Sequence, residues 1–224
     1  MAWGAAIAMA AAPLAGCYAG VPPKMPRLPE PPQIDLSAGC KPVDQDYAYD
    51  RIRPQPEALR AAVARAAAGH VEVRAANRLP PPPEFREGVR VFTWGSFLPG
   101  RYSLVAVRDV DGGWTVVRAS EGRPGGRVAP EQPSVTTARI TGDAAARLEA
   151  LLSDRCLYGE PSYYDRSVPT PDGGQATCAD GSDALVEIRR PGMRHTSFHA
   201  CHTFGRAGQV ASLLWMATAE PARP

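Results

Sequence analysis

Several motifs that mark common enzyme classes are missing from this sequence. No G-x-S-x-G segment is present, so the strained serine turn of the α/β-hydrolases is not indicated. No C-x-x-C pair is present either, which argues against a zinc ribbon or a thioredoxin-like redox site. The aspartates do not follow the calcium-loop spacing with its closing glutamate. We therefore expect a protein that is not an enzyme and that holds no cofactor or metal.

A strong charge of either sign is missing too. The chain has 25 lysine and arginine residues against 23 aspartate and glutamate residues, a formal net charge of +2. Nucleic-acid binders usually carry a concentrated basic face, so this balance argues against a nucleic-acid partner. Hydrophobic residues make up 44% of the chain and charged residues 21%, which is typical of a globular protein.

The longest apolar run lies at the N-terminus. Residues 1–16 carry no charged side chain, and they are too few to span a bilayer, which takes about 20 residues. Such a run is typical of a secretory signal peptide. It ends in Leu14-Ala15-Gly16-Cys17, which resembles the lipobox of bacterial lipoproteins, although no lysine or arginine precedes the run. The resemblance implies cleavage before Cys17 and lipidation of that cysteine. The alternative is an ordinary signal peptide or a buried helix.

Residues 17–39 follow as a proline-rich segment with six prolines. Proline fixes φ and lacks an N–H, so we expect an extended tether rather than a helix or an inner strand. In lipoproteins an aspartate after the lipidated cysteine tends to retain the protein at the inner membrane. Tyr18 stands there in this chain, so the resemblance points to the outer membrane, with the domain facing the periplasm. We expect a single domain over residues 40–219 and a disordered tail over 220–224.

The five cysteines fit an exported protein. Lipidation of Cys17 leaves four, enough for two disulfides, which allow three pairings. A turn with Arg190 and Met193 at its ends places residue 182 opposite Cys201, with Cys178 just beyond. That register favours Cys178–Cys201, and hence Cys40–Cys156.

The remaining pattern predicts an α+β domain with an antiparallel sheet built from hairpins, about three helices and two disulfides. One hairpin turns at Asp109–Gly113 and the other at Pro191-Gly192. A proline at position 56 suits a helix start and Gly69 a helix stop. The predicted helices are 56–68, 143–153 and 207–218, and the predicted strands are 89–94, 102–108, 114–119, 135–141, 185–190 and 194–200.

Cys178-Ala-Asp-Gly, followed by Glu187, Gly192, His195 and Cys201, is similar to a pattern of uncharacterised bacterial envelope proteins. The resemblance covers about 40 residues and implies no activity.

A histidine-rich segment holds His195, His199, Cys201 and His202. Imidazole and thiolate groups bind transition metals, so this segment is a candidate metal site. On an extended strand, however, His195 and Cys201 lie about 20 Å apart, which one ion cannot bridge. The geometry therefore favours histidines that hold no metal.

Basic residues flank the same turn: Arg189, Arg190, Arg194 and His195. They are a candidate site for an anionic partner, such as a phosphate-bearing glycolipid or an acidic protein face. The alternative is a solvated hairpin tip.

Taken with the anchor and tether, these patterns favour a non-catalytic envelope lipoprotein whose domain binds a protein or cell-wall partner. The alternative is a periplasmic metal-handling protein or enzyme that uses His195, His199 and His202.

Overall fold

The computed structural model describes residue 40 and residues 52–95, 100–122, 131–178, 181–201 and 205–219. The predicted signal peptide, Cys17, the tether, the tail and His202 lie outside these residues. The described part is an α+β fold, which confirms the predicted class. Its helices and strands are α1 Pro56–Ala76, β1 Gly88–Trp94, β2 Tyr102–Arg108, β3 Trp114–Ser120, β4 Ser134–Ile140, α2 Gly142–Ser153, a 3₁₀ helix Arg155–Gly159, β5 Tyr163–Tyr164, β6 Ser167–Pro169, β7 Gln175–Thr177, β8 Asp183–Arg190, β9 Met193–His199 and α3 Gly205–Thr218.

The main sheet has the strand order β4-β3-β2-β1-β8-β9-β5. All its neighbours are antiparallel except β5, which runs parallel to β9. Both predicted hairpins are present as β2–β3 and β8–β9, and Arg190 pairs with Met193 as the turn requires. The pairing of β1 with β8 joins two parts of the sheet that are far apart in sequence. The short strands β5, β6 and β7 were not predicted.

Helices cover both faces of the sheet. Because side chains alternate along a strand, β1 sends Val89 and Val91 to one face and Phe92 and Trp94 to the other. The first face packs against α2 and α3, and we call it the α2–α3 face. The second packs against α1, and we call it the α1 face. Odd and even positions along each strand therefore face opposite sides of the sheet. Residues that are paired across two strands face the same side, and hence the same helices.

The first helix is longer than predicted, and the prediction that it stops at Gly69 was wrong. Gly69 is buried within α1, and a methyl group added there would overlap the ring of Phe92. The glycine therefore allows the helix to approach the sheet closely. The helix ends at Asn77, whose side-chain amide donates hydrogen bonds to the carbonyls of Val73 and Ser120 at 2.9 and 2.7 Å.

Two disulfides cross-link the domain, and they join the cysteines in the pairs that the sequence favours. The Cα atoms of Cys178 and Cys201 are 6.1 Å apart, and those of Cys40 and Cys156 are 5.4 Å apart. Cys201 lies just after β9 with φ of 81°, so the chain turns out of the strand where the bridge forms. Among the described helices, none is both long and apolar enough to cross a bilayer.

Candidate anion-binding site

The structure separates the four basic residues that the sequence grouped around the last turn. Arg189 and Arg194 are direct cross-strand partners, and both lie on the α1 face. Arg190 and His195 have the opposite parity, so they lie on the α2–α3 face. The four predicted residues therefore form two pairs on opposite faces of the sheet, and the two pairs have different surroundings.

Arg190 belongs to a balanced ion-pair network. Its guanidinium lies 2.7 Å from Glu87 and 3.1 Å from Glu149. Arg108 contacts the same two carboxylates at 3.2 and 3.1 Å. Two arginines and two glutamates cancel, so this network has no surplus charge. It joins the ends of β1, β2 and β8 to α2.

His195 and His199 are core residues. They are 3% and 0% exposed, and burial lowers their pKa values to about 4 and about 3, with His195 adding to the effect on His199. His199 shares a hydrogen bond of 2.8 Å with Ser197 and stacks on Tyr164 at 4.7 Å. Both histidines are neutral at physiological pH.

These histidines do not converge on one point. They are four residues apart on β9, a separation of about 13 Å along a strand. His202 lies outside the described residues, and the described ones include no group of three residues able to hold a metal ion. A single metal ion cannot be bound by both His195 and His199 in this arrangement.

On the α1 face, four arginines come together. Arg189 and Arg194 are opposite each other on β8 and β9, and Arg90 is on the same face of the neighbouring strand β1. Arg74, in the last turn of α1, interacts with Arg90. We call Arg74, Arg90, Arg189 and Arg194 the arginine cluster. Like charges directly opposite in an antiparallel pair destabilise a sheet, so this arrangement costs folding stability.

Too few of the described carboxylates face the cluster to neutralise it. Glu187 lies 3.9 Å from Arg90 and 3.7 Å from Arg194, with its side chain 14% exposed. Glu84 approaches Arg90 and Arg189 but is 81% exposed, where solvent screens the attraction. Four guanidinium groups against two carboxylates leave a surplus of two positive charges among the described residues.

Two buried donors in the cluster also lack a partner among the described residues. The Arg74 side chain donates through Nε to the Pro80 carbonyl at 2.7 Å, but its buried Nη1 has no partner among the described residues. Arg90 donates through Nη2 to Pro83 at 2.6 Å, while its buried Nε has none there. Burial and the neighbouring Arg90 lower the pKa of Arg74. Unused donors and crowded positive charge together fit a site for an anion.

A serine–histidine pair lies near the cluster. His70 Nδ1 and Ser103 Oγ are 2.7 Å apart, the spacing of a nucleophile and its base. However, Ser103 is 0% exposed and His70 3%. Burial and the charges of Arg90 and Arg74 lower the pKa of His70 to about 3. Because both side chains are buried and His70 hydrogen-bonds to Ser103 inside the domain, we interpret the pair as a hydrogen bond of the core.

Sequence reasoning found half of the arginine cluster. Arg189 and Arg194 stand out beside the turn. Arg74 was missed because the predicted helix stops at Gly69, before Arg74. Arg90 had a readable signal, since it is the one charged residue in the strand Gly88–Trp94. That signal is weak without knowledge that β1 pairs with β8.

Comparisons of the chain with protein-family models, with curated proteins and with solved structures gave no match.

Proposed function

We propose that this chain is a non-catalytic, lipid-anchored envelope protein whose domain binds a protein or cell-wall partner through an anionic group. The observation that carries the proposal is the surplus positive charge of the arginine cluster, with buried donors that have no partner among the described residues. Repulsion among the arginines lowers the stability of the fold, and an anionic partner would offset that repulsion by neutralising the cluster.

The anchor part of the proposal rests on Cys17 and residues 17–39. A lipid on Cys17 and a proline-rich tether would hold the domain off the membrane, at the periplasmic side of the outer membrane. The disulfides fit this address, because they persist in oxidising compartments.

Replacement of Cys17 by alanine tests the anchor. In cells fed labelled palmitate, we expect the parent chain to be labelled and to sediment with the outer membrane. The Cys17→Ala chain should lose the label and move to the soluble periplasmic fraction, because no acyl chain holds it. Tyr18→Ala is the matched control and should keep both label and membrane association. Label retained by Cys17→Ala would show that the anchor is elsewhere.

Photo-crosslinking in living cells tests the partner. A photoreactive residue at Glu84, which is 81% exposed beside the cluster, should give a discrete adduct. The same residue at Met216, which is 67% exposed on α3 behind the other face of the sheet, is the control and should not. Arg194→Gln should weaken the adduct at position 84, because the anion loses a guanidinium. An adduct equally strong with and without Arg194, or none at position 84, would contradict partner binding at this surface.

A further inference from the structure

We propose that the arginine cluster binds a phosphate monoester. This inference rests on the proposed binding function and names the chemical group that the site recognises. The group can belong to a lipid headgroup or to a soluble molecule, and the two sources share the same dianionic phosphate.

Charge is the first argument. The cluster has a surplus of two positive charges among the described residues. A phosphate monoester carries about −1.5 to −2 at pH 7, so one group neutralises the surplus. A single carboxylate carries −1 and would leave one buried guanidinium uncompensated. The site therefore favours a compact dianion over a carboxylate.

Donor geometry is the second argument. The planar guanidinium presents its N–H groups as a fork that fits phosphate oxygens, and a phosphate monoester offers three strong acceptor oxygens. Arg74 Nη1 and Arg90 Nε are buried donors without a partner in the described part of the chain. Both belong to side chains already fixed by backbone carbonyls, which lowers the entropy lost when an anion binds.

The surroundings strengthen the attraction. Phe85 lies under Arg90 at 4.8 Å and near Arg189 at 5.9 Å, so one wall of the cluster is an aromatic ring. Arg194 is 22% exposed and Arg189 26%, which leaves an opening while it limits water. Charge-assisted hydrogen bonds are stronger in such a partly dry site than on an open surface.

The test uses the full chain with Cys17→Ala, so that no lipid is attached, at pH 7.5 and constant ionic strength. Titration calorimetry with glycerol 3-phosphate and with inorganic phosphate should show one site per chain. Acetate, a monoanion, should bind at least about tenfold more weakly, because it leaves one positive charge unpaired. Measurable acetate binding that is as tight as glycerol 3-phosphate binding would overturn the proposal.

Two variants with opposite expected signs locate the site. Arg194→Gln should weaken glycerol 3-phosphate binding by about 10- to 100-fold, the loss of one charge-assisted contact. Glu187→Gln should tighten it by about tenfold, because the competing carboxylate is removed. Arg60→Gln is the matched control, since Arg60 is 70% exposed on α1, and it should bind like the parent. A misfolded variant cannot bind more tightly, so the Glu187 result separates the proposal from loss of structure.

Vesicles separate the two sources of the phosphate. Phosphatidate in phosphatidylcholine vesicles displays a monoester, and phosphatidylglycerol displays a diester with one charge. Recruitment by phosphatidate alone would assign the site to a lipid headgroup, and binding of soluble glycerol 3-phosphate alone to a soluble ligand. Failure of both would overturn the phosphate proposal. An adduct at position 84 with no phosphate binding would leave partner binding intact and disprove only this chemistry.

Discussion

Lowering the pH from 7.5 to 5.0 should reduce the free energy of unfolding by about 6 kcal/mol. The cause is the burial of His70, His195 and His199, whose pKa values lie at about 3, 4 and 3. An unfolded histidine titrates near 6.5, so below that pH the unfolded chain binds more protons than the folded one. The stabilisation from the three neutral histidines is therefore complete above pH 6.5 and is lost as the pH falls toward 4. At pH 5.0 each histidine has reduced the free energy of unfolding by about 2 kcal/mol.

The charged groups near the histidines also disfavour their protonation. Arg74 and Arg90 face His70 and oppose a further positive charge. His195 opposes the protonation of His199, and Tyr164 stacks on His199. Glu160 works the other way, because burial raises its pKa and its protonated form favours the folded state at low pH. One carboxyl does not offset three histidines.

Urea unfolding at pH 7.5, 6.5 and 5.0 measures the effect directly. His195→Gln removes one titrating group, so the difference between pH 7.5 and 5.0 should shrink by about 2 kcal/mol in that variant. His70→Gln should shrink it by a similar amount and serves as a second test if His195→Gln folds poorly. An unfolding free energy that is the same at pH 7.5 and pH 5.0 would show that the histidines are not buried as neutral groups.

Local signals made much of the sheet predictable. The turn at Asp109–Gly113 and the Pro191-Gly192 turn each link two runs of strand-forming residues, and hairpins depend mainly on such neighbouring residues. The same locality fixed the register that brings Cys178 near Cys201. The cysteine pairing followed, because two of the four cysteines could be placed from one turn.

Long-range contacts were not predictable in the same way. Nothing near β1 indicates that it pairs with β8, and that pairing brings Arg90 to the face that holds Arg189 and Arg194. Glu160 contacts Arg206 at 3.0 Å, and these residues are 46 positions apart. No sequence pattern indicates this contact either. The candidate site is mostly of this kind, so the sequence revealed only the part beside the turn.

Removal of the Cys40–Cys156 bridge should have the next largest effect on stability. The bridge closes a loop with a sequence separation of 116 residues, for which chain-entropy arithmetic gives up to about 4.9 kcal/mol. We expect Cys40→Ala/Cys156→Ala to lower the free energy of unfolding toward that limit. The control is Cys178→Ala/Cys201→Ala, whose loop has a separation of 23 and should lose at most about 3.4 kcal/mol.

The difference between the two double variants also tests what the long bridge does. Cys40 is the first residue after the predicted tether, and Cys156 lies in the 3₁₀ helix that packs against β9. The bridge therefore joins the start of the domain to its body, where fraying would otherwise begin. Urea unfolding gives the stabilities, and limited proteolysis followed by mass spectrometry gives the first cleavage site. Without the bridge, we expect cleavage near residue 40 to precede cleavage elsewhere. A smaller loss for the Cys40/Cys156 variant than for the Cys178/Cys201 variant would contradict this role.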